Sequence, residues 1–361
     1  MKRAARMRRD AGSLRHNLAR VRALAPGCRV WAVIKADAYG HGIEWAAAQL
    51  DGRADGFAVS CVEEAVYLRE AGVSSPILVL QGPRAAMDWK TCAAYRLQPV
   101  LHDEGQLPGL AAFHGELPGL WIKLDTGMHR LGFPPLKAQI LFEQLHRRPA
   151  ARGGLGWLTH LACADQPGHP QNRAQLDQFA YSVSELPGHR SVANSAAVVS
   201  GLAGAGPPGE WVRPGIMLYG PSPLQGGEGP EQDLCPVMTV TAPLIAIKAL
   251  EPGASVGYGA TWSATRPVRA GVVAIGYADG YPRHAPSGTP VLVHGHACPL
   301  IGRVSMDMLE IDITSVPAAR VGDWVTLWGD GLPVERIARF AGTIGYELLT
   351  RVSGRLRIAD D

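Results

Sequence analysis

Long apolar runs are missing from this 361-residue chain. No stretch of ~18 consecutive apolar residues occurs, so no segment has the length a membrane-spanning helix needs. Cysteine is sparse and scattered. The six residues, Cys28, Cys61, Cys92, Cys163, Cys235 and Cys298, form no CxxC pair and no Cys/His spacing of a zinc site. Several stand in apolar runs and are expected as buried thiols, in keeping with a reduced, cytoplasmic protein. An excess of one charge is also lacking. The 35 Lys+Arg against 32 Asp+Glu leave +3, too mild to argue for nucleic acid. Basic residues do gather at the start, where MKRAARMRRD carries five Lys/Arg in ten positions. No apolar h-region follows, because LRHNLARVRALA (14–25) is amphipathic, and this argues against a secretory signal. The plainer reading is a solvated basic terminus.

What is present is an ordinary globular composition, 47% apolar and 19% charged, with length enough for two domains. Leu14, Leu18, Val21 and Leu24 recur at helical spacing, and Pro26 ends that pattern. Eight short apolar runs follow: VWAVI (30–34), GFAVS (56–60), PILVL (76–80), QPVLH (98–102), GLWIKLD (119–125), LGWLTHLA (155–162), SVAN (191–194) and VRPGIMLYG (212–220). Amphipathic segments such as CVEEAVYLREAG (61–72) and KAQILFEQLHRR (137–148) lie between them. Strand–helix alternation implies a parallel sheet, since parallel strands need crossovers. Eight repeats without a break fit a closed (β/α)8 TIM-type barrel better than the alternative, an open doubly wound sheet. After PSPLQGGEGPEQ, which reads as a linker, the pattern turns to strands, with only VERIARFAG (334–342) helical. The expected division is a barrel over 1–225 and a mainly antiparallel β domain over 226–361.

Lys35 follows VWAVI directly, at the carboxyl end of the first barrel strand, where barrel chemistry sits. A lysine there suits Schiff-base chemistry, because desolvation tunes its amine. On position alone a snorkelling rim lysine is the plainer reading. Its company changes the balance: KADAYGHG adds a nearby hydroxyl at Tyr39 and two glycines that permit close backbone approach. Lys123, Asp125 and Arg130 fall in WIKLDTGMHRLGF (121–133) at the end of the fifth strand, and His160 ends the sixth in LTHLACAD. A guanidinium at such a rim can clamp a carboxylate, though a structural ion-pair network is also open, and a lone strand-end histidine is more often a core residue. Ser195, in VANSAA, follows the seventh strand, and Arg213, Gly215 and Ile216 lie in the eighth run. Loops after strands seven and eight commonly hold phosphate, a task that suits Ser195 and the N–H groups of Gly215 and Ile216.

AVIKADAYGHG and KLDTGMHRLG resemble the alanine racemase family, and the likeness runs from about residue 14 to 358. The resemblance implies a pyridoxal 5'-phosphate enzyme interconverting L- and D-alanine. Lys35 would bond the cofactor, and Tyr39, Ser195, Gly215 and Ile216 would hold its phosphate. His160 would join the network beneath the cofactor. Arg130 would contact the substrate carboxylate, oriented by Lys123 if that lysine is carbamylated. Arg213 would face the pyridine nitrogen. An arginine accepts no proton, so the nitrogen beside it stays neutral and side reactions are disfavoured.

Racemisation needs two acid/base groups, and SVGYGATWSA (255–264) resembles the segment with the second, Tyr258. IGYADGYPR (275–283) and IGRVSMDM (301–308) match as well, which implies that Tyr277 and Met306 narrow the substrate entrance. The family's Tyr258 and Met306 counterparts reach a partner's barrel, implying a homodimer with composite sites. No metal, nucleic acid or membrane is expected. A broader racemase acting on serine, a decarboxylase and a non-enzymatic pyridoxal-phosphate carrier are the competing readings. Arg213 argues against the decarboxylase and the β domain against the carrier.

Three departures stand out. MKRAARMRRDAG reads poorly as the short strand with which family members begin. Gly354 stands where some members have a tyrosine over the phosphate. Ser191 stands where some have a histidine beside the ring-nitrogen arginine.

Overall fold

The computed structural model describes residues 4–202 and 210–360. The chain opens with strand β1 (Arg6–Arg9) and a helix over Ala11–Leu24, capped by Asp10, whose carboxylate accepts the Ser13 N–H at 2.7 Å. Eight strands follow: β2 (Arg29–Val33), β3 (Gly56–Val59), β4 (Ile77–Val79), β5 (Gln98–Leu101), β6 (Leu120–Lys123), β7 (Leu155–Leu158), β8 (His189–Ser191) and β9 (Trp211–Val212). All pair in parallel in the order β8-β7-β6-β5-β4-β3-β2-β9, and a parallel bridge between Asn194 and Arg213 joins the two ends. The ring is closed, which rules out the open doubly wound sheet. The first six expected runs each hold one of these strands; the last two strands end at the first residues of their runs, Ser191 and Val212, so β8 and β9 begin earlier than expected. Their near-continuous burial follows from being covered on both faces. At one end of the barrel Trp31 stacks on Trp211 with ring centroids 4.0 Å apart, and Trp121 meets Trp31 edge-on at 6.1 Å.

The second sheet contains β10 (Met238–Leu250), β13 (Val268–Val273), β14 (Pro290–Val293), β15 (His296–Ile301), β16 (Leu309–Asp312), β17 (Trp324–Trp328) and β18 (Arg357–Asp360). A small hairpin, β11 (Ser255–Val256) and β12 (Trp262–Ser263), stands apart from it. Pairing is antiparallel except between β1 and β18. β10 is 13 residues long and pairs with β1, β13 and β17, so the sheet folds back on itself.

Three expectations need correction. The basic N-terminal segment is a strand: β1 runs antiparallel to β10 and parallel to β18, and Met7 and Arg9 are buried. Lys2 and Arg3 of that cluster lie outside the described residues. VERIARFAG is not the only helix of the second region, because Gly345–Thr350 forms another. PSPLQGGEGPEQ is folded rather than free. Glu335 accepts the N–H groups of Ser222 and Gly229, both at 2.8 Å, and Glu228 pairs with Arg336 and Arg339.

Candidate active site

Lys35 follows β2 and opens a turn of the wrong hand. Ala36, Asp37, Ala38 and Tyr39 all have φ of +52° to +54°, a left-handed helical turn built without glycine. Such geometry costs ~1–2 kcal/mol per residue, so the surroundings must impose it. The Glu64 carboxylate accepts the Ala36 N–H at 2.9 Å and the Ser60 N–H at 2.7 Å, tying the start of the turn to the end of β3. Asp37 accepts the Ile43 N–H at 2.7 Å. The Nδ1 of His41 lies 3.0 Å from the carbonyl oxygens of both Ala38 and Tyr39, which assigns the proton to that nitrogen. Burial drives the His41 pKa down to about 4, so the ring is a neutral donor. It stacks on Tyr219 at 4.6 Å, and Tyr219 also stacks on Tyr39 at 4.9 Å and donates to the Val33 carbonyl. Sequence reading missed Glu64, His41 and Tyr219. None carries a local signal that separates it from a solvated acid or a core ring.

Burial, and then the Arg130 guanidinium, hold the Lys35 amine below its usual range. Lys123 is buried at the end of β6 and donates to the Leu131 carbonyl at 2.7 Å. Burial, joined by Arg213 and Arg130 against the opposing Asp125, lowers its pKa to about 8. Arg130 sits in an exposed loop fixed from below by Asp125. One carboxylate oxygen accepts the N–H groups of Gly127, Met128 and His129 at 3.1, 3.1 and 2.9 Å. The mouth beside this loop is a cavity of about 310 Å³ lined by His102, Asp103, Asp125, His129, Arg130 and Leu131. A cavity of about 590 Å³ beside His294, Asp323 and Trp324 contains none of these groups.

Arg213 is buried, and its partners are neutral. It donates to the Ser191 hydroxyl at 2.5 Å, the Thr159 carbonyl at 2.5 Å and the Val192 carbonyl at 3.3 Å, with His160 Nδ1 at 3.4 Å. Burial lowers its pKa to about 10, which leaves it a cation near neutral pH. Burial, then the cations Arg213, Arg130, Lys123 and Lys35, push the His160 pKa well down and keep it neutral. Gln175, wholly buried and not singled out from sequence, braces this layer. It donates to the His160 carbonyl at 3.0 Å and to Thr126 at 3.2 Å.

The phosphate-side residues converge as well. Ser195 Oγ accepts the Gly215 N–H at 2.8 Å, and Ile216 opens the next turn. Gly215 is needed for space, because a Cβ there would lie 2.4 Å from the Tyr39 hydroxyl. The Tyr39 hydroxyl, Ser195 Oγ and the Gly215 backbone thus meet, a set of polar groups that fits an anionic group. The ring of Tyr346 lies 6.0 Å from that of Tyr39. Tyr346, on the helix Gly345–Thr350, was not singled out from sequence, whereas a Cβ at Gly354 would meet nothing within 4 Å.

The structure thus gathers Lys35, Tyr39, Lys123, Arg130, His160, Ser195, Arg213, Gly215 and Ile216 at one end of the barrel. Tyr258, Tyr277 and Met306 stand on the C-terminal region, 68%, 40% and 54% exposed. The turns carrying Tyr277 and Met306 are hydrogen-bonded to each other, with Ala278 N–H donating to the Met306 carbonyl at 3.0 Å. Among the described residues no hydrogen bond or ring contact joins Tyr258 to the barrel group, and no His/Cys/Asp/Glu cluster could hold a metal.

Residues 10–223 match the family model "Alanine racemase, N-terminal domain", and residues 237–359 match "Alanine racemase, C-terminal domain". The chain is 54% identical to the alanine racemase of Thioalkalivibrio sulfidiphilus over 99% of each chain. It is 46% identical to the biosynthetic alanine racemase of Pseudomonas aeruginosa over 96% of each. The crystal structure of a biosynthetic alanine racemase from Pseudomonas aeruginosa superposes with a TM-score of 0.94, at 44% identity and full coverage of both chains. An alanine racemase from Bartonella henselae, with covalently bound pyridoxal phosphate, gives 0.88 at 28% identity, covering 99% of this chain and 100% of that one.

Proposed function

The chain belongs to the alanine racemase family and interconverts L- and D-alanine with pyridoxal phosphate; from that premise we propose that Lys35 and Tyr258 are its two bases. The observation that carries the reading is a half-buried Lys35, its pKa lowered, beside Arg130 and a buried Arg213 with only neutral partners. The cofactor, when bound, supplies an electron sink that acidifies the substrate Cα–H.

The protein's own groups do the rest. Lys35 exchanges a proton with Cα on one face, its neutral form favoured by burial. Arg130 clamps the substrate carboxylate. Tyr39, Ser195 and the N–H groups of Gly215 and Ile216 hold the phosphate. Arg213, braced by Ser191 and flanked by His160, offers the ring nitrogen a donor and no proton acceptor, which suits racemisation better than side reactions. Lys123, with a pKa of about 8, has a free amine fraction able to add CO2, releasing a proton and forming a carbamate anion between Arg130 and Arg213. Tyr258 exchanges the proton on the other face. Because it is exposed in the single chain, as are Tyr277, Met306 and Met308 of the same C-terminal region, we assign it to the barrel of a partner subunit in a homodimer. The two entrance residues, Tyr277 and Met306, then limit substrate size.

The domain division proposed is 1–225 and 226–361, with β1 returned to the second sheet. Six free thiols fit a reducing cytoplasm. The likeness to a relative named biosynthetic favours supply of D-alanine to peptidoglycan.

Mixing two crippled variants tests the composite site. Lys35→Ala and Tyr258→Phe are each expected to be nearly inactive on L-alanine. Co-refolded in equal amounts, they regain about a quarter of the native rate, because random pairing leaves one intact site in half of the dimers. Full activity of Lys35→Ala alone, or no recovery on mixing, overturns the assignment.

A further inference from the structure

The basic N-terminal segment has a place in the fold but none yet in the chemistry. Arg9, on β1, is 9% exposed. Its Nε and Nη2 grip the Asp360 carboxylate of β18 at 2.7 and 2.5 Å, and the two residues stand opposite each other in the strand register. Its Nη1 points the other way and donates to the His41 carbonyl at 2.8 Å. The guanidinium lies over the Trp45 ring at 4.8 Å. Gly42 makes room for it: φ there is +93°, and a Cβ would fall 2.6 Å from Nη1. His41 in turn holds the carbonyls of Ala38 and Tyr39. A continuous chain of contacts therefore runs from the C-terminal sheet, through one cation, into the left-handed turn that begins at Lys35.

We infer that Arg9, aligned by Asp360, is a positioning residue that locks the Lys35 turn to the C-terminal sheet and so sets where the lysine amine points. Three features carry this. The turn has a conformation its residues do not favour, so it needs outside restraint. Glu64 restrains its start, and Arg9 restrains its end. An arginine is required, because one planar fork pairs with a carboxylate on two donors while a third donor reaches a carbonyl on the opposite side. The sheet that holds β1 also leads through β10 and β13 to the hairpin beside Tyr258, so the same cation relates the two halves of the catalytic machinery.

The inference rests on the reading that Lys35 holds the cofactor, and its test is separable from that reading. Amide hydrogen exchange is measured on the cofactor-free protein in Arg9→Met, Arg9→Lys and Asp360→Asn, comparing segment 36–42 with β13 and β16 as internal controls. Arg9→Met is expected to speed exchange in 36–42 at least tenfold with the controls unchanged. Arg9→Lys, which keeps charge but not the fork, should recover part of the protection. Asp360→Asn should show a smaller rise, and added to Arg9→Met it should change nothing further. After reloading with pyridoxal phosphate, Arg9→Met should lose the visible absorption of bound cofactor several times faster on dilution. Unchanged exchange in 36–42, an equal rise in the controls, or faster exchange with cofactor retention unchanged each overturns the inference. Should Arg9→Met fail to fold, Asp360→Asn decides by the same criteria. The underlying reading fails separately, if Lys35→Ala keeps that absorption.

Discussion

The two regions that carry the proposed bases are built in opposite ways. Lys35 sits in a turn restrained from every side: by Glu64, by His41, by the Tyr39–Tyr219 stack and by Arg9. Tyr258 sits in a short exposed turn, Tyr258–Ala260, packed against the Gly302–Arg303 backbone and otherwise open. A strained, enclosed element is finished within one chain. An exposed ring offers a surface that nothing in its own chain covers. In the proposed homodimer the lysine side is organised by folding and the tyrosine side by association.

The widest break in that contrast comes from Lys35→Ala. Racemisation of L-alanine, followed by optical rotation, should fall by at least ~10³-fold at any protein concentration. Tyr258→Phe should cost ~10²–10⁴-fold, and unevenly. Deuterium uptake from solvent should be suppressed from one enantiomer far more than from the other, with cofactor absorption intact. Equal suppression would remove the two-face assignment. For the native protein, activity per chain should fall on dilution as dimers part, a loss that a self-contained site would not show.

The enclosed side can also be probed by pH. His41 is buried neutral with a pKa of about 4, against ~6.5 when unfolded. Between those values the unfolded chain binds the extra proton, so stability rises with pH across this window and levels off above it. The expected span is about 3 kcal/mol, read from urea midpoints, and His41→Gln should flatten it. The smallest effect is that of Glu64→Gln, which keeps one acceptor oxygen for two N–H groups and should cost ~1–3 kcal/mol of stability. Glu64 also favours the charged Lys35 amine, so its neutralisation should move the acidic limb of the rate profile to lower pH. A shift to higher pH would contradict the geometry.

The sequence made some of this architecture plain and concealed the rest. Most barrel strands were legible because parallel strands covered on both faces leave unbroken apolar runs, though β8, His189–Ser191, is polar; Lys35 was legible as a charge closing such a run and Arg213 as one within the eighth. The left-handed turn was not, since nothing in Ala36-Asp37-Ala38-Tyr39 disfavours the right-handed form; distant partners impose the other. β1 was hidden because RMRR reads as a solvated cluster, whereas Arg9 is buried by a carboxylate 351 positions away. The helix Gly345–Thr350 is too short, at six residues, to show a period, and with it went the placement of Tyr346. Gln175 and Glu64 look like any polar residues on a helix until their buried partners are seen.

The parallel pairing of β1 with β18 carries a consequence for how the molecule is made. β1 precedes the barrel in the chain, yet both strands that flank it, β10 and β18, follow the barrel. While the barrel takes shape, the backbone of β1 waits for both of its neighbouring strands, and Arg9 waits for the Asp360 carboxylate that aligns it. The barrel can close early, but the clasp on the lysine turn cannot. Of the described strands, β18 leaves the ribosome after all the others, and its Asp360 aligns the arginine that fastens the turn at Lys35.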